Sequence, residues 1–396
     1  MWFRIFYNTK VLSLNRLLSR TTLGNMNKPL QIYVAATRQN DGKTTTALGL
    51  LETISETYPE IGYIKPVGQQ VKLIGEHEID KDATLMKDVF HIGSPLYDMS
   101  PVAIPRGFTE EYVLHGDVHQ LSDRIRKAYE RESEEQRFMM IEGTGHAGVG
   151  SVIDLCNAAV AKMLDSPVLI VTCGGIGRPI DEVMLNKAVF DSYGVNVIGV
   201  IVNKVIPEKY EKINKLVRLG FEKKGIETFG VIPFYPILSS PTLRQLLEDI
   251  RGELISGTDT NLDAIVSKIL VGAMASHEAF DYFKGDVLLI TPGNREDLIL
   301  AAISCTVPGV QEDYNVRGIV LTCGIWPNAT VLKILQQAGV PVFLVKDDTF
   351  STARKINNLI IKIRPQDKEK ISVVKQMIKQ YVDVQRLLER IVDGNR

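Results

Sequence analysis

Cysteine is scarce in this chain and badly placed for metal binding or cross-linking. Only Cys156, Cys173, Cys305 and Cys323 occur, far apart and without metal-ligand spacing. They read as reduced, mostly buried thiols of an intracellular protein. Long apolar runs are lacking too, and none reaches the length of a membrane span. Charge of one sign is not in excess: the net of −1 removes the electrostatic basis for bulk binding to nucleic acid. Acids are missing at the start, where none precedes Asp41. The first 25 residues instead carry Arg4, Lys10, Arg16 and Arg20 among serines and threonines. That composition suits a mitochondrial presequence. It equally suits an over-extended reading frame, because Met26 opens Asn27-Lys28-Pro29 and then the first apolar run. The expectation is a start at Met26 and a cytoplasmic protein, or a mitochondrial one if the presequence is real. Residues 1–27 are set aside as an extension.

What is present is the material for a globular protein of about two or three domains. The chain has 396 residues, 45% hydrophobic and 23% charged. The organising stretch runs from Tyr33 to Thr46. An apolar run, Leu30 to Ala36, leads into a polar loop closing on Gly42-Lys43-Thr44, and a helix-forming run follows. Strand, loop, Gly-Lys-Thr and helix is the order a phosphate-binding loop needs. Backbone N–H groups and the positive helix end face the anion. The lysine charges the outer phosphates, and the hydroxyl serves Mg²⁺. The pattern departs at its first glycine, replaced by Thr37 or, with one more loop residue, by Ala36. Alanine is tolerable there at negative φ and strained at positive φ.

A second strand, Gly62 to Val67, carries Lys65 at its end, where ligands bind in an open α/β sheet. Asp80 to Met86 opens a helix, and its acids read from that stretch alone as caps. Residues 92–112 show no clear period, and His115 to Arg131 reads as a polar, exposed helix. Phe138 to Glu142 is a buried strand ending in an acid beside the glycine-rich Gly143–Gly150, which resembles a Walker-B metal ligand. Apolar strands 167–172, 196–203 and 228–233 alternate with helices. Together they predict a doubly wound, mainly parallel sheet with a second, smaller α/β domain behind it. Turn residues near 251–260 set the boundary, and one amphipathic helix is expected over about 372–392. The predicted division is 28–250, 251–375 and a C-terminal helix at 376–396. In the second domain, 291–297 and 347–353 read as helix caps, with small-ligand binding as the alternative.

Taken as a set, these motifs resemble a dethiobiotin-synthetase-like P-loop domain over residues 30–235. The marks are Ala36…Gly42-Lys43-Thr44, Tyr63-Ile-Lys65-Pro-Val67, Asp82-Ala83, Ile141-Glu142-Gly143-Thr-Gly145, Asn203-Lys204 and Gly230-Val-Ile-Pro233. Residues from about 250 resemble the small domain named after an Asp-Arg-Thr-Gly-Gly signature, the DRTGG domain. Its marks are Val271–Met274, Gly285-Asp286, Ile290–Asp297 and Asp348–Ala353. The ordered pair is similar to the N-terminal region of long bacterial phosphotransacetylases. The resemblance implies ATP and Mg²⁺. Gly42, Lys43, Thr44 and Thr45 would bind nucleotide, with Asn203 and Pro233 at the adenine. Thr44, Asp82 and Glu142 would hold the metal. Lys43 and Lys65 would be the catalytic cations, Lys65 stabilising the transferred phosphoryl group. Gly68-Gln69-Gln70 replaces the synthetase's small-residue substrate loop, which argues against its diamine substrate.

Three readings follow. One is a Mg-ATP-binding regulatory or metabolite-sensing protein. A second is an ATP-dependent ligase phosphorylating a carboxylate or carbamate, with a small carboxylate or amine substrate. The third is an interaction module with a vestigial nucleotide site. A homodimer is expected, with no membrane or nucleic-acid partner.

Overall fold

The computed structural model describes residues 28–305 and 314–394. The expected presequence and both candidate starts lie outside the described residues. The chain forms two compact units. One comprises residues up to Phe234 together with Arg364 onward; the other is Tyr235–Ile363.

The first unit is built on six strands: β1 (Leu30–Ala36), β2 (Ile61–Ile64), β3 (Phe138–Glu142), β4 (Val168–Cys173), β5 (Val197–Val205) and β6 (Thr228–Pro233). They lie in the order β6-β5-β4-β1-β3-β2, and every pairing is parallel. From β1 the chain goes to the edge strand β2, returns to β3 between them, and then crosses to the other side of β1 for β4, β5 and β6 in turn. The carboxyl end of β1 is therefore a switch point, the place where open α/β sheets bind ligands. The strands are apolar on both faces because helices cover both. Tyr33, Ala35, Ile141, Ile170 and Val202 belong to one of the two layers. On helix α1 (Lys43–Ser55), Ala47, Leu48, Leu50, Leu51 and Ile54 are fully buried.

Several expectations are corrected. Helix α2 is Lys81–Phe90, as read. The stretch read as irregular, 92–112, holds a short helix, Leu96–Met99, and the start of another, Phe108–His115. The helix read as exposed, α3 (Val118–Ser133), buries Leu121, Ile125, Ala128 and Tyr129 on one side. Its many charges masked that stripe. The single C-terminal helix is two, α4 (Lys368–Tyr381) and α5 (Val384–Gly394). They break where Val382 bridges Gly230 and the Asp383 amide donates to the Phe229 carbonyl at 2.9 Å. Both helices belong to the first unit, not to a separate tail, so its boundaries differ from the predicted 250/251 and 375/376.

Among the described residues, the second unit has a sheet of five strands. β7 (Glu253–Ser256) pairs antiparallel with β11 (Val342–Leu344). Beyond it, β10 (Tyr314–Thr322), β9 (Gly285–Pro292) and β8 (Lys268–Val271) continue in parallel. β7 falls in the stretch whose turn residues were read as the domain boundary. Val287, Leu289 and Leu321 pack on one face, and Leu288, Ile290 and Val320 on the other.

Candidate functional site

The loop after β1 is fixed from within and from across the sheet. Asp41, nearly buried, accepts from the Thr37 hydroxyl at 2.7 Å, the Arg38 amide at 2.8 Å and the Cys173 thiol at 3.0 Å. Burial, followed by the bond to this carboxylate, pushes the Cys173 thiol up to about 12. The Cys173 thiol thus serves here as a donor to Asp41. The left-handed residues of the loop are Asn40 (φ 66°) and Gly42 (φ 94°); Ala36 is not among them. Alanine thus replaces the expected glycine without strain. Gly42 caps α1, its carbonyl accepting from the Thr46 amide at 2.8 Å.

Asn203, expected at the adenine, lies at the tip of β5 and braces this loop. Its Nδ2 donates to the Asp41 carbonyl at 2.9 Å. Lys204 Nζ donates to the Asn40 carbonyl at 2.6 Å. A Cβ at position 42 would come within 2.1 Å of Asn203 Nδ2. Pro233 ends the neighbouring strand, paired with Val205. Lys43, Thr44 and Thr45 form the first turn of α1.

From Thr44 the site continues into buried charge. The Thr44 hydroxyl donates to Glu142 Oε1 at 2.7 Å, and the Tyr63 hydroxyl donates to Glu142 Oε2 at 2.9 Å. Lys65 reaches into the same place. Its ammonium contacts Asp82 and lies 3.3 Å from Asp80 Oδ1 and 3.6 Å from Glu142 Oε1. Burial opposes the lysine's charge, but Asp82, Glu142 and Asp80 outweigh it and raise its pKa above the ordinary value. Tyr63 is held well above its usual range by burial and then by Glu142. Thr44, Lys65, Asp82 and Glu142 are thus brought together.

Sequence reading missed several supports. Asp80, read as a cap, does cap α2 through the Asp82 amide at 2.9 Å; its pairing with Lys65 is what was missed. Asn157 holds the glycine-rich loop after β3. Its Oδ1 accepts from the Thr144 amide at 2.9 Å and the Tyr33 hydroxyl at 2.8 Å. Its Nδ2 donates to the Thr144 and His146 carbonyls at 2.7 and 2.6 Å. The Asp-x-Asp spacing was the available signal for Asp80; Asn157 had none. His146 and Arg106 are exposed. In the second unit, Asp348 caps a helix through Ser351 and Arg295 pairs with Asp297, so both stretches hold local helix-start structure.

The acids, hydroxyl and lysine stand at the switch point, beside a loop of phosphate-binding form. Carboxylate and hydroxyl oxygens are the ligand types that a hard divalent cation takes, but among the described residues no group of three His, Cys, Asp or Glu is arranged to hold one.

Comparison with known proteins agrees with this architecture. Residues 30–242 match the family described as an AAA domain, and residues 245–359 match the DRTGG domain. The phosphate acetyltransferase of Nitratidesulfovibrio vulgaris is 24% identical over 372 residues, covering 91% of this chain and 52% of that protein. The phosphate acetyltransferase of Synechocystis sp. is 28% identical over 373 residues, covering 90% and 51%. The chain spans about half the length of these relatives. Among solved structures, the MinC:MinD cell division protein complex of Aquifex aeolicus aligns at TM-score 0.34 and 13% identity, over 52% of this chain and 83% of that one. Strand order, loop form and the extent of the family match lead to one placement: the chain belongs to the AAA domain family through residues 30–242, with a DRTGG domain behind it.

Proposed function

We propose that this is a Mg-ATP-binding P-loop protein, related to the N-terminal region of phosphotransacetylase, with a regulatory or metabolite-sensing role. The observation that carries the reading is the Thr44 hydroxyl, on the phosphate-loop helix, 2.7 Å from the acid at the tip of β3. Loop and acid are 98 residues apart in sequence, and a nucleotide–metal site is what requires them together. Thr44, Asp82 and Glu142 would hold Mg²⁺, which would neutralise charge on the phosphates. Lys43 would serve the outer phosphates, and the first turn of α1 would supply backbone donors. The attached DRTGG domain supports regulation as the purpose of binding.

Calorimetric titration with Mg-ATP tests the reading. Wild type should give a binding isotherm and Lys43→Ala should lose it. Equal heats for both, or none from wild type, would return the chain to a vestigial interaction module. Intrinsic hydrolysis is expected to be modest.

The ligase reading is favoured by the buried Lys65 beside Asp82 and Glu142, a cation that would then serve the transferred phosphoryl group. ADP release should then rise with a diamine plus bicarbonate or with one of a panel of carboxylates. No stimulation across the panel supports regulation.

A further inference from the structure

The first unit has a cavity of about 370 Å³ at the amino end of β6, lined by the helix Tyr210–Glu222, the turn after it, Thr228 and Arg386 of α5. The phosphate loop stands at the opposite, carboxyl end of these parallel strands. Arg218 is the positioned donor of the cavity. Its Nε donates to Asn214 Oδ1 and its Nη1 to the Thr228 carbonyl, each at 2.8 Å. Both acceptors are neutral, and no acid pairs with Arg218 among the described residues, although Glu222 lines the same cavity one helical turn on. The guanidinium is thus fixed while its Nη2, with two N–H donors, has no acceptor among the described atoms. Arg386 brings a second guanidinium to the wall. It contacts Glu227 Oε1, and Arg390 Nε lies 4.0 Å from the other oxygen of that acid, so one carboxylate serves two arginines. The covered Thr228 hydroxyl has no hydrogen-bond partner among the described atoms. At Gly225 (φ 68°) a Cβ would meet nothing within 4 Å, so the cavity is open on that side.

We propose that this cavity is a second ligand site, which takes the carboxylate or phosphate group of a small metabolite on Arg218. A guanidinium presents paired donors in one plane, matched to two oxygens of either group. Because neutral acceptors hold Arg218, an arriving anion breaks no ion pair there. Arg386, 63% exposed, sits in a surface pair with Glu227 that contributes little. It is free to turn to the same anion while Arg390 stays with Glu227. A ligand oxygen reaching the start of β6 would also give the Thr228 hydroxyl a partner. Glu222 sets the limit on charge. An acid on the wall repels a polyphosphate, so the ligand is a small anion and not a second nucleotide. The site gives a sensing role a place of its own, but it does not depend on the Mg-nucleotide reading.

Equilibrium dialysis of the full chain against radiolabelled inorganic phosphate and, separately, radiolabelled succinate tests this. Lys43→Ala serves as the parent, so that phosphate held by the phosphate loop is not counted. At least one of the two anions should bind this parent, and the tighter one tells phosphate from carboxylate as the group recognised. Adding Arg218→Gln should weaken that binding about tenfold or more, the effect of losing a hydrogen bond to a charged group. Adding Arg386→Gln, at a mostly exposed position, should weaken it about threefold by the same arithmetic. No binding of either anion to the parent overturns the proposal, and so does unchanged binding in folded Arg218→Gln. Should that variant fail to fold, unchanged binding in Arg386→Gln overturns it instead. The Mg-ATP titration of wild type is a separate measurement: absence of nucleotide heat defeats the nucleotide reading and leaves this site standing.

Discussion

At Gly42 backbone conformation and available space make the same demand. Its φ is +94°, and a Cβ would fall 2.1 Å from the Asn203 amide nitrogen. Gly42→Ala should therefore cost about 1–3 kcal/mol of stability and abolish the Mg-ATP isotherm; urea unfolding and calorimetry read the two effects. The glycine was legible in the sequence because the loop motif is local. So were Lys43 and Thr44, which open helix α1 directly after it. What surrounds them was not. Asp41 meets Cys173 across 132 residues, and no spacing rule predicts that contact. Ala36 shows the same limit, since its identity was plain but the sign of its φ belongs to the folded loop. Asp80 was legible as a cap, which it is; its second partner, Lys65, is tertiary.

Helices were easiest to misjudge where charge obscured an apolar stripe or a tertiary contact cut a long period. Helix α3 was read as exposed, yet it carries Glu132, only 1% exposed, beneath β2. Glu132 Oε1 accepts from the Tyr63 amide at 3.4 Å, and Oε2 has no hydrogen-bond partner among the described atoms. Burial raises its carboxyl to about 7, against the smaller opposing effects of its hydrogen bonds. The folded state thus holds a proton that the unfolded chain has released between its ordinary pKa and about 7. Stability is full below that window and falls as pH rises through it, by up to about 3 kcal/mol. Glu132→Gln should flatten this part of a melting-temperature-against-pH curve and be the more stable protein at pH 8. On the other face, Gly49 of α1 lets α4 approach closely. A Cβ there would lie 2.3 Å from Ile378 Cγ1. Gly49→Val should push α4 off α1 at a cost of about 1–3 kcal/mol, seen as a lower thermal midpoint. The break between α4 and α5 was illegible because it is made by β6 through Phe229 and Gly230, not by a proline or glycine in the helix itself.

At the scale of the molecule, the DRTGG domain interrupts the P-loop domain, since residues from 364 return to the first unit. Sequence order alone suggested two consecutive domains and a tail. Periodicity identifies α4 and α5 as amphipathic without saying which apolar surface receives them. That surface is α1 and the β6 edge. Ion pairs of Lys375 with Glu52, at 2.6 Å, and of Lys379 with Glu56 border the packing, but exposed pairs add little. The apolar burial of Ile371, Val374, Met377 and Ile378 is the larger contribution, at about 1.5–3 kcal/mol for each fully buried side chain. The second unit needs no such completion. Both faces of its sheet are covered by residues lying within 235–363. The two units should therefore respond differently to cutting. A fragment of residues 235–363 should fold alone, with a cooperative thermal melt by circular dichroism. A chain ending at Ile363 keeps every sheet strand and the phosphate loop but lacks the helices over α1, so it should lose the melting transition of the P-loop unit and its Mg-ATP isotherm. If that truncated chain instead melts and binds as the full chain does, α4 and α5 are not part of the nucleotide unit. Persistence of the second unit's melt in the same sample would show that the loss is local to the P-loop unit.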